Sequence, residues 1–285
     1  MSKKPIDVHV HPSTKEYLID SGGKYLEDAM RYFGKDIRSA VKSVEEMAAE
    51  YETLGVRGIL LAWDAETGTG LKKTSNEYIA GIVEKFPDVF VAGFASVDPW
   101  KRNAAKEVEK AVKELGLRGL KFQQAAQKFF PNDKMCYPIY EKCVELNIPV
   151  LYHTGTTGYG AGAKGGDGIR LSYTKPIPYI DDVAADFPEL KIIGAHPSWP
   201  WQEEMLAVAV HKANVYLDLS GWSPKYFSPS LVQYANTFLK DKVMFGTDYP
   251  FISPQKWLKD FESAGFKPEL RDKILWENAE KILGV

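Results

Sequence analysis

Eight short apolar runs, each followed by a helix-like or loop segment, recur from end to end of this 285-residue chain, and few folds accommodate that alternation. The runs are Ile6–His11, Val56–Trp63, Val89–Val97, Leu117–Gln123, Pro149–Gly155, Lys191–His196, Asn214–Ser220 and Val243–Asp248. Most are apolar almost throughout, which marks strands covered on both faces in a parallel sheet. Helical spacing is read over Ser39–Leu54, Ser75–Phe86, Asn103–Leu115, Met135–Leu146, Ile177–Phe187, Gln202–Lys212, Ser230–Leu239, Pro254–Ser263 and Pro268–Leu283. Ser43 and Glu46 offer a capping box for the first of these, and Gly55 closes it. Eight strand–helix units close most economically as a (β/α)8 barrel. An open doubly wound sheet is the alternative, but no Gly-x-Gly-x-x-Gly follows the first strand. One domain over residues 1–285 is expected.

The barrel gives the strand ends a meaning, because functional groups in this fold cluster at the C-terminal ends of the strands. The first run reads Ile-Asp-Val-His-Val-His, and a period of two would turn Asp7, His9 and His11 to one face. His153 ends the fifth run, His196 the sixth, and Asp248 the eighth. Imidazole and carboxylate are common ligands of zinc and related ions, so four strand ends carry metal-ligand chemistry. The fifth histidine, His211, ends a helix, where a cation suits the dipole, and is assigned no chemistry.

Composition removes other classes. With 45% hydrophobic residues the chain can bury a large core, and a formal charge of −2 without a Lys/Arg block offers no footprint for nucleic acid or an anionic membrane. A small-molecule partner is expected. No apolar run has the length of a membrane span, and Met1–Pro5 leads into the first strand without a signal-like segment, which reads as cytoplasmic. Cys136 and Cys143, seven apart on one helix, are too distant for a disulfide and read as reduced core residues. Residues 12–38, with Gly22-Gly23 and several aromatics, read as a long loop forming part of a lid.

His-x-His on the first strand, His on the fifth and sixth and Asp on the eighth resemble the amidohydrolase superfamily. Thr-Asp-Tyr-Pro, Gly-Ala-His-Pro and Gly-Leu-Lys-Phe are similar to its amidohydrolase-related branch, which includes aminocarboxymuconate semialdehyde decarboxylase. The resemblance implies one divalent metal, zinc first and manganese second, held by His9, His11, His153 and Asp248. It implies that His196 orients or protonates the substrate, and suggests a dimer or higher oligomer. Metal-activated water needs a base, and Asp248 is the candidate. A second metal would require carboxylation of Lys121, and a plain lysine paired with a carboxylate is favoured, since a buried unpaired ammonium is costly. Asp7 either orients a ligand or is structural.

Trp63, Gln123, Gln124, Tyr159, Trp199, Trp201, Trp222, Tyr249 and Phe251 follow strand ends and are expected around the barrel mouth. Among these, Trp63, Gln123, Trp199 and Trp222, together with Lys121 and Arg170, form the expected substrate-binding set; Lys164 and Arg170 could hold a carboxylate. Flat aromatic walls suit a planar or conjugated acid. The family branch favours a carboxy-lyase on such an acid, with metal-assisted hydrolysis of a lactone, ester or amide as the alternative.

Overall fold

The computed structural model describes residues 3–285. Eight parallel strands are present: β1 Ile6–Val10, β2 Arg57–Leu61, β3 Phe90–Phe94, β4 Leu120–Phe122, β5 Val150–His153, β6 Ile192–Ala195, β7 Val215–Asp218 and β8 Val243–Met244. They form a run β1-β2-β3 and a run β4-β5-β6-β7-β8. Two isolated bridges, Ala95 with Leu120 and Val10 with Tyr249, join the runs into a closed (β/α)8 barrel. β8 is only two residues long, yet its continuation still bonds to β1: Val8 N–H donates to the Phe245 carbonyl at 3.0 Å and Asp248 N–H to the His9 carbonyl at 3.0 Å.

The interior of the barrel is filled by Ile6, Val8, Ile59, Leu61, Ala92, Phe94, Leu151, Ile193 and Met244, while alternate strand residues pack outward against the helices. β1 changes phase part-way. Its pairing with β2 shifts register between Asp7 and Val10, and Val10 lies in the outer cluster although Ile6 and Val8 lie in the inner one. A bulge of this kind inserts one residue and turns the rest of the strand to the other face. The expectation that Asp7 shares the ligand face of His9 and His11 is therefore corrected: Asp7 lies on the helix side of the strand.

Helix Val44–Leu54 is capped at Ser43 by both arms of the capping box and ends at Gly55, whose φ of 64° is left-handed. Residues 37–40 form a separate short turn, so the expected Ser39–Leu54 helix is two elements. The expected helix Pro268–Leu283 is also divided, with a wide π turn at Lys273–Glu277 before Asn278–Leu283. The Ile274 carbonyl instead accepts from Phe245 N–H at 2.8 Å, tying this last segment to the barrel wall.

Residues 12–38 are more regular than a loop. A π-helical turn, Glu16–Ser21, leads into helix Gly23–Tyr32, which buries Tyr25, Leu26, Ala29 and Met30 over the mouth of the barrel. Cys136 and Cys143 are buried and unpaired, as expected. No helix among the described residues is long and apolar enough to cross a membrane.

Candidate metal centre

The bulge in β1 delivers His9 and His11 to the barrel mouth, where Asp248 meets them from beyond β8. His9 Nε2 and His11 Nε2 lie 3.4 and 3.5 Å from Asp248 Oδ1, and one ligand atom from each residue falls within 4.8 Å of the others. Asp248 has a φ of 63°, a left-handed conformation that Asp tolerates better than most residues. Its backbone is held there by the bond to the His9 carbonyl.

Asp7 supports this arrangement from behind. Its carboxylate accepts from Thr247 N–H at 2.9 Å, Thr247 Oγ1 at 2.5 Å, Tyr51 Oη at 2.9 Å and His9 N–H at 3.1 Å. These bonds pin the residue before Asp248 to the residue that begins the bulge. Burial pushes the Asp7 carboxyl up to about 7, opposed by those same bonds.

Asp218, at the end of β7, is not among the residues expected from the sequence, although it contacts a ligand directly. Its Oδ2 lies 2.6 Å from His9 Nδ1. A carboxylate can only accept, so Nδ1 carries the hydrogen and the lone pair of Nε2 faces Asp248. Ser220 extends the network: its hydroxyl donates to Asp218 at 2.9 Å and lies 2.7 Å from His196 Nδ1. Close packing demands glycine on both sides, since a Cβ on Gly246 would stand 2.2 Å from Asp218 Oδ1 and one on Gly221 would stand 2.6 Å from His196 Nδ1. The signal was present in Tyr-Leu-Asp-Leu-Ser, where an acid interrupts a buried apolar strand and needs partners.

The electrostatics suit a cation. Burial, reinforced by neighbouring Lys121 and histidines, pulls His9, His11 and His196 well below the ordinary imidazole range, so they stand neutral with lone pairs available. His9 Nε2 and His11 Nδ1 are buried without a hydrogen-bond partner among the described residues. Burial also raises Asp248 to about 7, although Lys121 pulls the other way. The lone pair of His9 Nε2 facing a carboxylate oxygen is an acceptor set against an acceptor, and a metal ion held between His9, His11 and Asp248 resolves that conflict. The residues fit a metal.

The remaining expected residues divide. His196 Nε2 lies 3.9 Å from Asp248 Oδ2, and its ring is 4.9 Å from that of His9. The His153 ring is 4.8 Å from that of His196, with Nε2 turned 3.1 Å from the Thr156 carbonyl, outside the compact trio. Burial pushes His153 down to about 3. Lys121 is buried with its Nζ unpartnered among the described residues, so the expected pairing with a carboxylate is not a direct contact. Burial lowers it to about 8 while Asp248 and Asp218 pull it back up.

A cavity of about 950 Å³ opens above these groups, and Trp63, Lys121, Gln123, Tyr159, Trp199, Trp222 and Phe251 line it. Trp63 Nε1 is buried there without a partner among the described residues, an available donor. The Gln123 amide is already engaged, donating to Thr157 Oγ1 at 2.9 Å and accepting from Ala125 N–H at 3.1 Å. Gln124 instead brackets the backbone of His153, at 3.2 Å on both its N–H and its carbonyl. Tyr249 faces the outer core, where its ring meets Tyr51 edge-on at 5.4 Å. Lys164, Arg170 and Trp201 do not line the cavity: Lys164 and Arg170 lie exposed on the loop after β5, and Trp201 caps the start of helix Gln202–His211. Tyr17, one of the aromatics of the expected lid segment, stacks on His11 with ring centroids 4.5 Å apart, a contact the sequence does not specify.

The amidohydrolase family model matches residues 6–285. The chain belongs to the amidohydrolase family. Gamma-resorcylate decarboxylase of Polaromonas sp. (strain JS666) is 24% identical, with 97% of each chain covered. A TIM-barrel protein from Bordetella bronchiseptica, described as uncharacterized, superposes with a TM-score of 0.81 at 28% identity, covering 99% of this chain and 98% of that one. Dihydroxybenzoic acid decarboxylase from Polaromonas sp. JS666, solved with manganese and the inhibitor 2-nitroresorcinol, gives a TM-score of 0.69 at 21% identity, with 99% and 97% covered. These likenesses agree with the barrel and with the family expected from the His-x-His, His, His and Asp pattern.

Proposed function

We propose that this amidohydrolase-family protein is a metal-dependent carboxy-lyase that removes CO2 from a small aromatic or conjugated carboxylic acid. The observation that carries this is the acceptor trio of His9, His11 and Asp248 beneath an aromatic-walled cavity that also holds the unpartnered ammonium of Lys121. The relatives' activity on aromatic acids supports a lyase over a hydrolase. Manganese in the Polaromonas structure weighs against zinc as the first choice.

His9, His11 and Asp248 would hold the ion, with His153 as a fourth donor through Nδ1, the nitrogen its bond to Thr156 leaves free. A divalent ion bound there polarises substrate oxygens and stabilises negative charge developing on the acid. Lys121 attracts the carboxylate, and Trp63 Nε1 donates to an oxygen at the ring edge. Decarboxylation replaces a C–C bond to CO2 with a C–H bond, so one proton must reach carbon. His196 and Asp248, 3.9 Å apart at the cavity floor, are the groups able to hold and hand on that proton.

Metal-loaded protein should be screened with hydroxylated aromatic and muconate-type acids beside lactones and amides, with CO2 release as the readout. Turnover is expected among the acids. Activity confined to lactones or amides would replace the lyase by a hydrolase.

A further inference from the structure

The cavity is larger than its reactive floor requires. It spans about 950 Å³ and opens to solvent, whereas a single-ring hydroxy acid of about ten non-hydrogen atoms, packed as densely as a protein interior, fills on the order of 200 Å³. The surplus has a different lining. The metal ligands, Lys121 and His196 occupy the floor; Tyr32, Phe33, Trp199, Trp222 and Tyr226 form a collar around the outer part. Four of these rings are strongly exposed, at 67% for Tyr32, 59% for Phe33, 51% for Trp199 and 65% for Tyr226. Single exposed aromatics are ordinary on a protein surface, but a ring of them around one opening is a patch that awaits a partner.

The collar is assembled from three separate segments, so it is not the accident of one loop. Tyr32 and Phe33 end the lid helix and meet edge-on at 5.2 Å, while Trp199 beyond β6 and Trp222 beyond β7 pair at 6.1 Å. The lid side is fixed by close packing, since a Cβ on Gly162 would stand 2.6 Å from the Tyr32 Cβ. The cations on the outer wall are already engaged, Lys35 with the Phe251 carbonyl at 2.6 Å and Lys256 with Asp260 at 3.0 Å. An occupant of the collar therefore needs planar apolar surface and no charge.

We propose that the substrate is an extended acid, in which the carboxylate-bearing ring or conjugated segment that reaches the floor is joined to a second planar apolar group that stacks within the collar. This rests on the carboxylic-acid reading of the floor and adds the part of the molecule that the floor does not touch. Stacking on several rings makes the second group a determinant of affinity without a part in the chemistry.

Calorimetric titration of the metal-loaded protein with 2-hydroxybenzoate and with its phenyl-substituted, two-ring counterpart tests this without requiring turnover. The two-ring acid should bind on the order of tenfold more tightly, and in the Phe33→Ala/Tyr226→Ala variant that ratio should collapse toward one. Equal affinities in the wild type, or a ratio unchanged in the variant, would overturn the extended-substrate proposal while leaving the carboxylic-acid floor standing. Binding of neither acid would overturn both. Sedimentation of the same variant distinguishes the other occupant: conversion of a wild-type dimer to monomers with the affinity ratio unchanged would make the collar an interface between copies.

Discussion

At the scale of single residues, the centre depends on side chains that fix one another as much as on the ligands. Asp248→Asn preserves shape and can still offer a carbonyl oxygen, but it cannot take a proton. The variant should fold and keep much of its metal while turnover falls on the order of 10²- to 10⁴-fold, measured by CO2 release beside metal content. His211→Asn should change neither, because His211 is exposed at the end of helix Gln202–His211. Asp218→Asn probes the support behind His9. An amide in place of the carboxylate weakens the acceptor for His9 Nδ1–H, so metal affinity should fall roughly 10- to 100-fold, read by chelator competition with no substrate present. Unchanged affinity would remove Asp218 from the centre. His9, His11, His153, His196 and Asp248 could be picked out from the sequence because rare ligand-type residues ended apolar runs. Asp218 and Tyr17 could not be assigned that way, since their roles arise from contacts across the barrel, with His9 on β1 and with His11 beneath the lid.

At the scale of elements, local chemistry was legible and local irregularity was not. The capping box at Ser43 and the glycine stop at Gly55 appear as the sequence suggests, because both are set by neighbours within a few residues. Ser43→Ala should cost about 1 kcal/mol, a small fall in melting temperature with no loss of metal. The bulge in β1, by contrast, has no Gly or Pro to announce it and is imposed by pairing with β2 and by the four bonds to Asp7. Perfect alternation would have sent Asp7 and the histidines to one face; the bulge separates the pinning carboxylate from the ligands. The lid helix was hidden by Gly22-Gly23, which reads as a turn although Gly23, at a φ of 49°, starts the helix. Helix Tyr137–Glu145, which holds Cys143, and the turn Lys134–Cys136 before it carry a further test. Burial pushes the Cys136 thiol up to about 12 and raises Cys143 further, so both should resist a thiol reagent at pH 8 until the protein is unfolded. Rapid reaction of either in the folded state would contradict their burial.

At the scale of the whole molecule, the proposed ion would bridge the two ends of the chain's barrel. His9 and His11 come from β1 and Asp248 from beyond β8, where closure rests on one isolated bridge and a few backbone bonds instead of a long ladder. An ion that binds only the folded barrel stabilises it by mass action, by about 2.7 kcal/mol at a hundredfold excess over its dissociation constant. Chelation should accordingly lower the melting temperature of the wild type and leave a protein lacking the ligands unaffected. The barrel itself was legible because eight apolar runs separated by helices admit few closures. Its seams were not, because Ala95–Leu120 and Val10–Tyr249 are contacts between residues that carry no sequence signal of pairing. The central claim is that His9, His11 and Asp248 hold a divalent ion, and elemental analysis of the purified wild type against the His9→Ala/His11→Ala variant tests it most directly. About one divalent ion per chain is expected in the wild type and essentially none in the variant, with the fold retained by circular dichroism; full metal occupancy in the folded double variant would contradict the assignment.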